Sequence, residues 1–159
     1  MLTSSESVSG VPELSVLSTV SVSAVVPLLA DFSAPAVVVT CGADGLAGDP
    51  LSKMALSNTG LWNAVERVVD LHDHAVVLGG GGYNPWTVIR CWSGLWGRLS
   101  GRDIPAVLPG PAADFMASLE SDLIDDDEVA DHWLTTLADP PNNGPVRPEI
   151  ERLPDLVLN

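Results

Sequence analysis

Two stretches decide the fold: Ala36-Val37-Val38-Val39-Thr40, running into Cys41-Gly42-Ala43-Asp44-Gly45-Leu46-Ala47-Gly48-Asp49-Pro50, and Ala75-Val76-Val77-Leu78, running into Gly79-Gly80-Gly81-Gly82-Tyr83. Each begins as a β-branched apolar run, the pattern of a strand buried on both faces. Each then breaks into glycine. Between them, Leu61, Trp62, Val65, Val68 and Val69 recur at helical spacing, and Ser57 or Asn58 can cap that helix. Strand, loop, helix, strand in this order predicts an α/β fold with a parallel sheet. Open sheets of this kind build sites past the carboxyl ends of their strands. Asp44 and Tyr83 stand at two such ends.

The flanking segments extend the pattern. Val25, Val26, Leu28, Leu29 and Phe32 predict a short helix ending before Pro35, with Pro27 in its first turn. Thr87–Leu99 predicts a helix that buries Val88, Cys91, Trp92, Leu95 and Trp96. Ile104-Pro105 and Pro109-Gly110-Pro111 read as breakers. Residues 114–127 read as irregular or weakly helical. Residues 128–138 read as a helix anchored by Trp133, ended by the Pro-Asn-Gly-rich residues 140–145. Residues 150–158 read as a tail. Val20-Ser21-Val22-Ser23 alternates as a strand would. The Ser- and Val-rich residues 1–22 carry few other signals and are expected to be a disordered or unrelated leader.

Composition excludes several functions. The 159 residues suffice for one domain with an ordinary core, and 46% are hydrophobic. No apolar run reaches the length of a membrane span, and no basic region opens the chain as in a secretory signal, so the cytoplasm is the expected compartment. A formal charge of -14 opposes direct nucleic-acid binding, which relies on Lys and Arg against phosphate. Asp114, Glu120, Asp122, Asp125, Asp126, Asp127, Glu128 and Asp131 supply much of it, with no Lys or Arg between Arg102 and Arg147. Such a run is a solvated face or a docking surface for a basic partner. Cys41 and Cys91 form no CxxC pair and are read as reduced and structural.

Asp44, in a loop opened by Gly42, Gly45 and Gly48, can ligate a divalent metal, cap a helix or close an Asx turn. Asp49 has the same options. A run of four glycines is entropically costly and is kept where backbone must approach a ligand or adopt positive φ. A tyrosine behind it can point its hydroxyl into a cleft. The run lacks the GxGxxG spacing and a following Lys-Ser/Thr, so it is not a phosphate loop. His72 and His74 flank Asp73 with no third metal ligand nearby and read as a solvated loop; His132 reads as a surface residue.

These two motifs, their order and spacing, Asp49-Pro50-Leu51 and Arg90-Cys91-Trp92 resemble the zinc-dependent histone deacetylase family, most nearly its bacterial acetoin-utilisation type. The resemblance runs from about Val25 to about Leu153. It implies the C-terminal part of an arginase/deacetylase-like parallel sheet flanked by helices, over residues 23–153, with 154–159 a tail. It implies that Asp44 is a zinc ligand, and that the Tyr83 hydroxyl polarises the acyl carbonyl. Leu51, Gly81 and Gly82 would line the acyl-lysine tunnel, and acetylated lysine or a small acyl amide would be the substrate. In the family, an Asp-x-His segment supplies the other two zinc ligands, and a tandem His supplies the proton shuttle. This chain has no His before His72 and no His-His. The expectation is a partial deacetylase, inactive alone. Its alternatives are half of a split enzyme completed by an upstream polypeptide, and a non-catalytic module that binds acyl ligands.

Overall fold

The computed structural model describes residues 21–140 and 146–158. Two parallel strands, β1 (Ala36–Thr40) and β2 (His74–Leu78), pair in register from Ala36 opposite His74 to Thr40 opposite Leu78. Seven α-helices surround or follow them among the described residues: α1 (Val26–Phe32), α2 (Asn58–Val69), α3 (Pro85–Leu99), α4 (Gly110–Ala117), α5 (Asp131–Thr135), α6 (Pro148–Glu151) and α7 (Leu153–Leu158).

Helices α2 and α3 pack beside one another and carry the core. Ser57 caps α2, its hydroxyl accepting from the Gly60 N–H at 3.2 Å. Trp62, Val65 and Leu95 are buried together, with Val39 and Val77 of the sheet against them. The Trp62 indole N–H donates to the Cys91 carbonyl at 2.8 Å, and its ring lies over Gly94, where a Cβ would overlap it. A second cluster joins Trp86 and Trp133, stacked with centroids 6.4 Å apart, to Leu108, Met116 and Ile124. Here α4 and α5 fold back over the start of α3.

A buried ion pair links these parts. Arg90 of α3 has no exposed surface; its Nη1 donates to Asp139 at 2.6 Å and its Nε to the Thr136 carbonyl at 2.7 Å. The other Asp139 oxygen accepts from the Asn58 N–H at 2.7 Å, at the start of α2. Asn58 also donates its side-chain amide to the Leu137 carbonyl at 2.7 Å. The segment 136–139 is thereby fixed across the ends of α2 and α3.

Several sequence expectations need correction. Ser21–Val25 forms a π-helical turn leading into α1, not a strand; Val20 and most of the expected leader lie outside the described residues. Pro109-Gly110-Pro111 starts α4 rather than breaking structure, because proline is tolerated in a first helical turn. The helix expected over 128–138 shrinks to α5, preceded by a 3-10 turn at Asp126–Glu128. Thr136 turns extended there, and its carbonyl serves Arg90 instead of a helix. The expected tail over 150–158 is largely helical as α6 and α7. Trp96 is 63% exposed, under the Arg102 guanidinium, rather than in the core.

Candidate active site

Both glycine-rich loops leave the same end of the sheet and meet. The Cys41 N–H donates to the Leu78 carbonyl at 3.1 Å, carrying the pairing one step beyond the strands. The Ala43 N–H then donates to the Gly81 carbonyl at 2.7 Å. Glycine is required at this approach: a Cβ on Gly42 would sit 2.6 Å from the Gly81 nitrogen, and one on Gly81 would overlap the Asp44 carboxylate. Gly82 adopts φ +143°, and a Cβ there would meet Val88 at 2.7 Å. The four-glycine run therefore serves loop-on-loop contact and a positive φ.

Asp44 is exposed, its carboxylate against the backbone of Gly81. Tyr83, two residues on, is also exposed. Its position is set by Asp49, which is buried. One Asp49 oxygen accepts from the Tyr83 N–H at 2.8 Å, and the other closes an Asx turn with the Leu51 N–H at 2.9 Å. Of the options open to Asp49, the structure selects the structural ones. Leu51 is exposed, as is Met54. Gly81 and Gly82 lie between Asp44 and Tyr83 on the loop surface. The structure thus brings Asp44, Gly81, Gly82 and Tyr83 together, with Leu51 joined to Tyr83 through Asp49.

Asn84 completes the scaffold. It is fully buried, donates to the Gly48 carbonyl at 2.9 Å, and caps α3 by accepting from the Trp86 and Thr87 N–H groups. Asn before Pro at a helix start is the sequence signature of this cap.

The histidines stand apart. His74 opens β2, and His72 precedes it with its ring Nδ1 at 2.8 Å from the Val68 carbonyl, so both lie at the opposite end of the strands from Asp44 and Tyr83. His132 is half-buried beside Asp139; burial lowers its pKa, with the Arg90 charge adding to the effect. Cys41 and Cys91 are both free, and burial raises both thiols, Cys91 to about 12. All eight carboxylates from Asp114 to Asp131 are exposed, as on a solvated face. Glu128 nonetheless shares a cleft with Asp49 and Pro50, which brings the acidic stretch up to the Asp44 loop.

Among the described residues no group of three or more His, Cys, Asp or Glu is placed to hold a metal. Asp44 is one open carboxylate, whereas a catalytic zinc site takes three protein ligands. The described residues do not complete such a centre. No described helix is long and apolar enough to cross a membrane.

The histone deacetylase domain family matches residues 13–99, beginning inside the stretch expected to be an unrelated leader. Histone deacetylase 8 of Danio rerio is 33% identical over 78 residues, 49% of this chain and 21% of that protein. Type-1 histone deacetylase 1 of Dictyostelium discoideum is 45% identical over 64 residues, 40% of this chain and 13% of that protein. The crystal structure of a histone deacetylase homologue from Aquifex aeolicus superposes with a TM-score of 0.75 at 29% identity, over 92% of this chain and 40% of that one. A homologue complexed with SAHA gives 0.72 at 28% identity, over 89% of this chain and 38% of that one. The chain thus spans about a fifth or less of these curated relatives and about two fifths of the solved structures. With more than half of its residues matched by the family and the same fold around the two loops, the chain belongs to the histone deacetylase family.

Proposed function

We propose that this chain supplies the Asp44 and Tyr83 half of a zinc deacetylase site of the acetoin-utilisation type, for acetylated lysine or a small acyl amide in the cytoplasm. The observation that carries the reading is the joining of the two loops. The Ala43–Gly81 hydrogen bond and the glycine contacts hold the Asp44 carboxylate two residues from Tyr83, past the ends of adjacent strands. Zinc, when bound, would supply an acidified water and polarise the acyl carbonyl. Asp44 would be one ligand to it. The remaining ligands lie outside the described residues.

The chain's own contribution is substrate orientation and oxyanion stabilisation. The Tyr83 hydroxyl donates to the acyl oxygen as negative charge develops on it, a role that demands a donor fixed in advance. Asp49 provides that fixing from behind, through the Tyr83 N–H. Leu51, Gly81 and Gly82 present apolar side chain and bare backbone to the acyl-lysine stem. Leu51 is exposed here, so a closed tunnel would need walls from beyond the described residues.

A partial site makes a partial catalyst. Without a placed proton shuttle the rate falls typically by about 10²–10⁴. Acetate release from an acetyl-lysine peptide by the purified 159-residue chain with added zinc tests this. Release at the level of buffer is expected; release abolished by Tyr83→Phe would show the chain sufficient by itself and overturn the partial-site reading. The non-catalytic module predicts tight acyl-ligand binding without zinc, measurable by calorimetry on the same sample.

A further inference from the structure

Trp133 of α5 touches both chain segments that support Tyr83. Its ring edge lies against Gly48, where a Cβ would overlap it, and Gly48 takes φ +89°. Its face stacks on Trp86, three residues past Tyr83, with the two planes 21° apart. Both tryptophans are buried. The residue after Gly48 is Asp49, whose carboxylate accepts the Tyr83 N–H. The Gly48 carbonyl accepts from Asn84, next to Tyr83. On either side of the Gly48–Trp133 contact the loop borders open space: clefts of about 360 and 440 Å³ are both lined by these two residues. The helix carrying the ring is itself fastened, the Thr135 carbonyl accepting from the Leu108 N–H at 2.7 Å and the Thr136 carbonyl from Arg90.

Resting on the proposed function, we infer that Trp133 is a positioning residue for Tyr83: its ring, wedged between Gly48 and Trp86, sets the spacing of the two glycine loops and acts on Tyr83 through Asp49. The six-membered ring of the indole carries the effect, because the atoms nearest Gly48 are Cζ2 and Cη2. Phenylalanine at this position keeps an aromatic face for Trp86 but falls short of Gly48. The turn that holds Asp49 then gains room, as after any large-to-small change in a packed core. Asp49 moves with that turn, and the Tyr83 N–H loses its fixed acceptor.

Tyr83 is the only tyrosine in the chain, so ring-labelled tyrosine gives a single NMR resonance that reports its order. The test compares Trp133→Phe with Trp62→Phe, the same change in the other buried cluster. In Trp133→Phe the resonance should move toward that of free tyrosine, and the Tyr83 and Leu51 amides should exchange about tenfold faster through local opening. Trp62→Phe should leave both readouts near those of the parent chain. Equal changes in the two variants, or none in Trp133→Phe, would overturn the inference. Exchange in rising urea on the unsubstituted chain needs no variant to fold: the Tyr83 amide and the Thr136 amide of the α5 end should open in one step, and separate steps would overturn the inference. Acetate release by the protein as recovered from its own cells should fall in kcat with KM kept in Trp133→Phe; an unchanged kcat would overturn it. Resonance and exchange do not depend on turnover, so a parent chain that releases no acetate while both respond as expected would refute the proposed function and leave the positioning of Tyr83 standing.

Discussion

The N–H of Tyr83 donates to the Asp49 carboxylate across 34 residues of sequence, at 2.8 Å, with Asp49 only 5% exposed. This one bond ties the loop after β1 to the loop after β2. It makes the placement of Tyr83 depend on a buried carboxylate of the other loop.

Removing Asp49 should therefore loosen the site before it unfolds the chain. Asp49→Ala leaves two N–H groups without their partner, a loss of about 1–3 kcal/mol. Asp49→Asn keeps one acceptor oxygen and should lose less. Urea denaturation ranks the variants, and faster hydrogen exchange at Leu51 and Tyr83 in Asp49→Ala identifies the cause.

The Arg90–Asp139 pair predicts a larger effect. Replacing Asp139 by Ala strands a fully buried guanidinium and removes the acceptor for the Asn58 N–H. Breaking one side of such a pair typically costs about 3–5 kcal/mol. Thermal unfolding should show Asp139→Ala well below wild type. A double-mutant cycle with Arg90→Met should recover part of the loss, since the stranded charge is then gone.

Gly94 lies under the Trp62 ring with no room for a methyl group. Gly94→Ala should destabilise by about 1–3 kcal/mol through overpacking, despite alanine's better helix propensity. Trp62→Phe in the same chain should relieve part of it, measured by chemical denaturation.

Burial pushes the Cys91 thiol up to about 12 from an ordinary 9.0, with Cys41 adding to the shift. The unfolded chain then loses this proton first as pH rises. The stability contributed by the neutral buried thiol is complete below pH 9 and is lost progressively from there toward 12. Cys91→Ala should flatten that alkaline decline. At pH 8, iodoacetamide should label Cys91 only after unfolding.

How much of this was legible in the sequence follows from what each residue answers to. β1, β2, α2 and α3 were readable because local patterns and burial agree there: valine runs end in glycine, and Trp62, Val65 and Leu95 fall on inward faces. Asp44 and Tyr83 stand out in the sequence because loops at strand ends are where such folds place chemistry and because the motifs resemble a known family; what the structure adds is that their two loops meet. The C-terminal helices were readable only in part: α5 falls inside the helix expected over 128–138, but its early end, α6 and α7 were not. Residue Thr136 ends α5 because its carbonyl meets Arg90, 46 positions earlier, and no local pattern records that bond. Asp49 looked like a turn former and is one, but its second oxygen serves Tyr83. Trp96 has the spacing of a buried residue on α3 yet stacks with Arg102 at the surface.

The most direct test of the central claim is acetate release from an acetyl-lysine peptide by the tagged protein as recovered from its own cells, compared with the same preparation carrying Tyr83→Phe. Loss of one preplaced oxyanion donor lowers turnover by about 10²–10³. A fall of that size, with the fold intact by circular dichroism, is the predicted result. Equal rates for the two preparations would contradict the assignment of Tyr83 and, with it, the reading of the paired glycine loops as a deacetylase site.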